Sequence, residues 1–160
     1  MSADIEFRLA LISEAGQLAV MSRELVEQGL GWSWTTPRII RHIRAPDSTV
    51  LVARRAGRIV GFAIMRFGED EAHLDLLAVN ANSQRKGIGR QLMGWLEETA
   101  LVAGISIIRL EVRASNEAAR RFYGGLGYLC VRQIRGYYSR HEPAICMAVD
   151  LWTARRNTIT

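Results

Sequence analysis

No apolar run in the 160 residues approaches the length of a membrane span, so a membrane-crossing helix is not expected. The opening Met1-Ser2-Ala3-Asp4 lacks a basic n-region and a cleavage pattern, so no export signal is expected either. Cysteine is scarce: Cys130 and Cys146 lie in separate apolar segments without metal-ligand spacing. No metal is expected, and both thiols are expected buried and reduced, although a terminal hairpin that brought them face to face would leave a disulfide open. Internal repeats, low-complexity tracts and linkers are missing. These absences predict one cytoplasmic domain over 1–160, with 153–160 as a polar, frayed tail.

The charge bias is modest. Twenty-one basic against 16 acidic residues leave +5, which suits anionic ligands as a class. The basic residues are spread through the chain and are not gathered with aromatics on one stripe, so nucleic acid is not an expected partner.

Periodicity supplies the elements. Ile5, Phe7, Leu9 and Leu11 alternate as in a half-buried strand. Ser13 can cap a helix in which Ala15, Leu18, Met21 and Leu25 recur, running to Gly29. Thr36-Pro37 opens a short helix, hydroxyl as cap and proline at the first helical position, that Pro46 stops. Strands over 49–55, 58–67 and 72–79, joined at Ala56-Gly57 and 68–71, make an antiparallel meander. Ile88, Leu92, Leu96, Ala100 and Ala103 line a helix that Gly104 ends. The strand at 107–112 follows it and can pair in parallel with 72–79. Asn116 can cap a helix carrying Ala119, Phe122, Tyr123 and Leu126. Two strands, 128–134 and 144–151, close the chain around a loop with Gly136, Ser139 and Pro143.

Between a strand and a helix sits Gln84-Arg85-Lys86-Gly87-Ile88-Gly89-Arg90. Two glycines let the backbone turn tightly and present N–H groups with no Cβ in the way. The helix dipole points at the same place, and Arg85, Lys86 and Arg90 add full charges. This reads as a phosphate cradle. It is not a P-loop, and Leu92 stands where a dinucleotide fingerprint needs its third glycine.

With Gln84, Gly87 and Gly89 in register, the pattern Gln/Arg-x-x-Gly-x-Gly resembles the pyrophosphate loop of the GNAT N-acetyltransferases. The order β-α-α-β-β-β-α-β-α-β-β is similar to that fold from end to end. Motifs at 110–116, Arg121-Phe122-Tyr123, Leu126-Gly127-Tyr128, Gly136-Tyr137-Tyr138 and Ala144-Ile145-Cys146-Met147 resemble the branch that acetylates the N-terminal alanine of a ribosomal protein. The resemblance implies an α/β (α+β) fold: a mixed, mostly antiparallel sheet of about seven strands flanked by four helices. It implies acetyl-CoA as donor and direct transfer to a primary amine (peptide N-terminus, lysine or small amine) in a ternary complex, with no nucleophilic cysteine. A silent CoA-binding sensor of the same fold is the alternative, and a homodimer is left open.

An amine attacks a thioester as the neutral species, so a base is needed, with an acid for the departing thiolate. Glu111 interrupts an apolar strand, where a carboxylate is costly without a task or a partner. The resembling branch has its glutamate base at that position; an ion pair with Arg109 or Arg113 is the competing account, and Asp75 the alternative base. His73 and Glu71 are weaker candidates, expected to be solvated at a strand edge. Tyr123, at the family's position for the acid, is otherwise a core tyrosine. By resemblance the backbone at Leu77, Ala78 and Val79 bonds the pantetheine arm and acetyl carbonyl, and Gln84 through Arg90 (including Ile88) meet the diphosphate. Asn116 either caps its helix or reaches the cofactor. Trp32, Trp34, Tyr137, Tyr138 and Arg140 are candidates to line the acceptor site, the two tryptophans having a core anchor as the competing account.

Overall fold

The computed structural model describes residues 4–29, 31–84, 86–138 and 142–158, the side chains of 137, 138 and 155–158 excepted. Its order is β1 (Ile5–Leu9), a 3-10 turn (Ile12–Glu14), α1 (Ala15–Leu25), α2 (Thr36–Arg44), β2 (Ser48–Arg55), β3 (Arg58–Phe67) and β4 (Glu71–Val79). A second 3-10 turn (Ala81–Ser83), α3 (Ile88–Val102), β5 (Ile107–Arg113), α4 (Glu117–Gly125), β6 (Leu129–Tyr138), β7 (Glu142–Asp150) and α5 (Leu151–Thr158) follow. Seven strands form one sheet, β1-β2-β3-β4-β5-β7-β6. The pairs β1/β2, β2/β3, β5/β7 and β6/β7 are antiparallel, while β4 and β5 run parallel, Glu71–His73 in register with Ile107–Arg109. The expected class, sheet and four helices are therefore present; α5 is an addition, formed where a frayed tail was expected.

By packing, the chain divides into two compact units, Met1–Arg66 with Asp75–Leu96, and Phe67–Leu74 with Glu97–Thr160. In the first unit, Ala15, Leu18 and Ala19 of α1 and Ile39 of α2 are fully buried in one cluster with Val50, Val52, Phe62, Ile64, Leu76 and Ala78 of the strands. The 3.6-residue period of α1 thus meets the two-residue period of the sheet. Glu14, not Ser13, ties down the start of α1: its carboxylate accepts the Leu11 N–H at 2.8 Å and pairs with Arg8 at 3.1 Å and with Arg54. The helix stops at Leu25, short of Gly29, and Glu27 explains the change of direction. That carboxylate is buried and accepts from the Ser22 and Ser33 hydroxyls and the Ser33 and Trp34 N–H groups. Buried charge needs such donors. In α2 the cap position is Thr35, without a side-chain cap bond, so Thr36 is the first helical residue and not the cap. The β2–β3 turn has φ +51° at Ala56 and +77° at Gly57, the paired left-handed geometry of a two-residue hairpin.

Gly61 matters for what it lacks. A Cβ there would stand 3.0 Å from the Ala78 carbonyl oxygen and 3.4 Å from both Ile88 and Leu92 of α3. Gly61→Ala is expected to destabilise the protein by about 1–3 kcal/mol, the usual range for overpacking. A melting temperature at or above that of the parent chain would refute this account of the contact.

His42 offers a pH test in the same unit. Its Nδ1 lies 2.9 Å from the Ser48 hydroxyl and its ring 5.2 Å from that of Trp34. Burial lowers its pKa; the Asp75 charge opposes this, while Arg38, Arg66 and Arg41 reinforce it. The unfolded histidine, at about 6.5, then takes up a proton before the folded one does. Its contribution is complete above that pH and is lost as pH falls towards the folded value. Denaturant midpoints at pH 7.5 and 5.5 should differ less in His42→Gln than in the parent; equal differences would contradict the shift.

In the second unit the inward residues of β5, Ile108, Leu110 and Val112, alternate with Arg109, Glu111 and Arg113. Helix α3 ends in two bonds, Ile105 N–H to Ala100 and Gly104 N–H to Leu101, with Gly104 at φ +82°. This is the Schellman arrangement that a glycine permits. Gly127, at φ +97°, admits α5: a Cβ there would be 3.3 Å from Ala154. The closing strands are longer than expected, so Gly136 belongs to β6 and Pro143 to β7. Cys146 is buried, but Cys130 is exposed, contrary to expectation, because β6 is a sheet edge. Cys130 sits opposite Met147, and Cys146 opposite Arg132; both thiols are free.

Candidate active site

In the first unit, the glycine turn follows β4. Gln84 donates its side-chain amide to the Val79 carbonyl at 3.0 Å, and Asn80 bonds Val60 through its N–H and Ile59 through its side chain. These bonds fix the approach to α3. Gly87 has φ +81°, with open space around the place a Cβ would occupy. The first helical bond runs from Gln91 N–H to Gly87 O at 3.0 Å. The amides of Ile88, Gly89 and Arg90 precede it, as helix-opening donors without an intrahelical acceptor. Lys86 and Arg90 are exposed beside them; Arg85 lies outside the described residues. Open backbone, a helix mouth and cations suit a diphosphate.

Asp75 is held through both oxygens by Arg66, at 2.6 and 2.9 Å. Such a bidentate pair commits both oxygens to a structural charge partner. The tryptophans separate. Trp34 is 7% exposed, part of the core cluster, and capped by the Arg38 guanidinium at 3.8 Å, so the acceptor-lining role expected of it gives way to the anchor. Trp32 is exposed, with the Arg23 guanidinium 5.1 Å from its ring.

In the second unit, Glu111 is half-buried on β5, and His73 Nε2 lies 2.8 and 3.0 Å from its two oxygens. His73 is on β4, an interior strand, and is not solvated at an edge as expected. Parallel pairing of His73 with Arg109 sets the two side chains on one face. Arg109 is engaged by Glu71 at 2.5 Å, a hydrogen bond and charge that raise the guanidinium pKa further, so Glu71 too has a partner. The His73 side chain is 29% exposed against 12% for Glu111, so the more buried carboxylate is paired with the more exposed imidazole. Spacing contained a signal for this pair: His73 and Asp75 share one face of a strand expected to lie beside 107–112.

Tyr123 is 7% exposed near the end of α4. Asn116 caps that helix, its side-chain oxygen accepting the Ala119 N–H at 3.0 Å. The side chains of Tyr137 and Tyr138 lie outside the described residues, as does Arg140.

Residues 19–128 match the acetyltransferase (GNAT) family. Over 97 residues the chain is 40% identical to a [ribosomal protein bS18]-alanine N-acetyltransferase of Salmonella typhimurium, covering 59% of this chain and 66% of that protein. The chain thus spans just under two thirds of that relative's length. The crystal structure of the Escherichia coli ribosomal-protein-S18-alanine N-acetyltransferase is similar at a TM-score of 0.81 and 26% identity, over 92% of this chain and 94% of that one. PaiA N-acetyltransferase of Thermoplasma acidophilum, solved in complex with coenzyme A, shares the fold at a TM-score of 0.81 and 21% identity, over 92% and 99%. The family match takes in the glycine turn, Glu111 and Tyr123 alike, and the chain belongs to the GNAT acetyltransferase family.

Proposed function

We propose that this chain is an acetyl-CoA-dependent N-acetyltransferase that moves the acetyl group directly to a primary amine. The observation that carries the proposal is the Glu111–His73 pair: a half-buried carboxylate whose partner can itself pass on a proton. Acetyl-CoA supplies the acyl group as an activated thioester. The amides of Ile88, Gly89 and Arg90, with Arg85 and Lys86, would hold its diphosphate, and the backbone of Leu77–Val79 with the Asn116 amide would take the pantetheine arm. Glu111 accepts the proton of the attacking amine, and His73 carries it on towards solvent. Tyr123 would supply the proton for the departing thiolate from its hydroxyl.

For the acceptor we favour a peptide N-terminus beginning with alanine, because two similar proteins are named for that chemistry. Trp32, Tyr137 and Tyr138 would line its site. The reading carries with it a single-domain enzyme at work in the cytoplasm; nucleic acid has no role in it, and a homodimer is compatible with it. The test is an acetyl-CoA turnover screen against alanine-first peptides, other N-termini, lysine peptides and free amines, with Glu111→Gln as control. Turnover best on alanine-first peptides is expected. Turnover confined to lysine or small amines would replace the acceptor, and tight acetyl-CoA binding without transfer to any amine would replace the enzyme with a sensor.

A further inference from the structure

We infer that Tyr128 and Glu97 are positioning residues for Tyr123, a role that rests on Tyr123 being the acid. Tyr128, in the second unit, is 1% exposed. Its phenol donates to Glu97 Oε2 on α3 at 2.9 Å. Its ring meets that of Tyr123 edge-on, centroids 5.7 Å apart and planes at 64°, and Phe122 abuts Tyr123 in turn at 5.0 Å. The backbone joins the same residues: the Tyr123 carbonyl accepts the N–H groups of Leu126 and Tyr128, each at 3.0 Å. Tyr128 thus meets Tyr123 both at its main chain and at its ring.

A phenylalanine at 128 would fill this space equally well. A buried hydroxyl is costly unless bonded, and the Glu97 carboxylate bonds it. Burial first, then the charge and hydrogen bond of Glu97, push the Tyr128 phenol well above its usual range, so it stays a neutral donor at all working pH. A ring tethered at its tip cannot slide or tilt freely, and edge-to-face contact passes that constraint to the neighbouring ring. Fixing an acid's direction is the kind of geometry on which turnover depends steeply.

The experiment is a double-mutant cycle on kcat. Tyr128→Phe should lower kcat about tenfold with KM for acetyl-CoA little changed, and should add nothing in a Tyr123→Phe background. Glu97→Ala should reproduce the loss from the other side, while Glu97→Gln, which keeps an acceptor oxygen, should restore most of it. A fall in melting temperature with kcat unchanged overturns the proposal, as does an equal loss in the Tyr123→Phe background. If Tyr123→Phe alone leaves turnover intact, the failure belongs to the acid assignment and is visible before the cycle is closed.

Discussion

Glu111→Gln is expected to lower kcat by about 10²–10⁴-fold, the range for loss of a general base, while acetyl-CoA affinity and melting temperature stay near those of the parent chain. The amide has the carboxylate's shape and keeps an oxygen for His73 Nε2, so the pair's geometry survives and its capacity to take a proton does not. One further readout separates chemistry from packing. In the variant, turnover should keep climbing as pH rises, because the deprotonated fraction of amine then comes from solvent and not from the site. The rival base makes the opposite pattern. Asp75→Asn, which breaks the bidentate pair with Arg66, should lower stability more than it lowers kcat. If Glu111→Gln turns over at close to the parent rate, the base is elsewhere and the proposed route fails with it.

Tyr123→Phe should cost roughly 10²-fold in kcat, the lower end for a general acid, with the fold intact. The ring is retained, its edge contact with Tyr128 is retained, and one oxygen disappears. What distinguishes an acid from a core tyrosine is its dependence on the leaving group. With an acetyl donor whose thiol is more acidic than that of coenzyme A, the departing sulfur needs less help, and the gap between variant and parent should narrow. A gap that stays the same for both donors means the hydroxyl does something other than protonate sulfur. The two substitutions therefore fail in different ways, one on the side of the amine and the other on the side of sulfur.

Much of this was open to reading from residues because the signals were local. Alternation marked β5 and placed Glu111 on it, and a glycine after Ala103 marked the end of α3. The parallel pairing of β4 with β5 followed from the long crossover alone. Long-range partners were harder. Glu14 replaced Ser13 as the tie at α1 because a buried carboxylate can recruit Arg8 and Arg54, one of them from another strand. His73 looked like a surface residue because Glu111 is 38 positions away, and only the expected pairing of their two strands could have joined them. Trp32 and Trp34 differ by two places in an irregular segment, and Glu27 decided which went inside by gathering the Ser33 and Trp34 amides. Periodicity does not extend through such a segment, so no count of residues could have separated them.

The bare backbone at position 61 has a reach beyond stability. Its hydrogen atom lets α3 lie close against β3, with Ile88 and Leu92 each 3.4 Å from where a Cβ would otherwise stand. The setting of the turn proposed to hold the diphosphate therefore depends in part on β3, through a residue that belongs to neither the turn nor its charges. Because Ile88 lies both in that turn and against position 61, retuning donor preference within 84–90 would have to hold Ile88 fixed, whereas a substitution at 61 should shift the proposed diphosphate site without altering its charges.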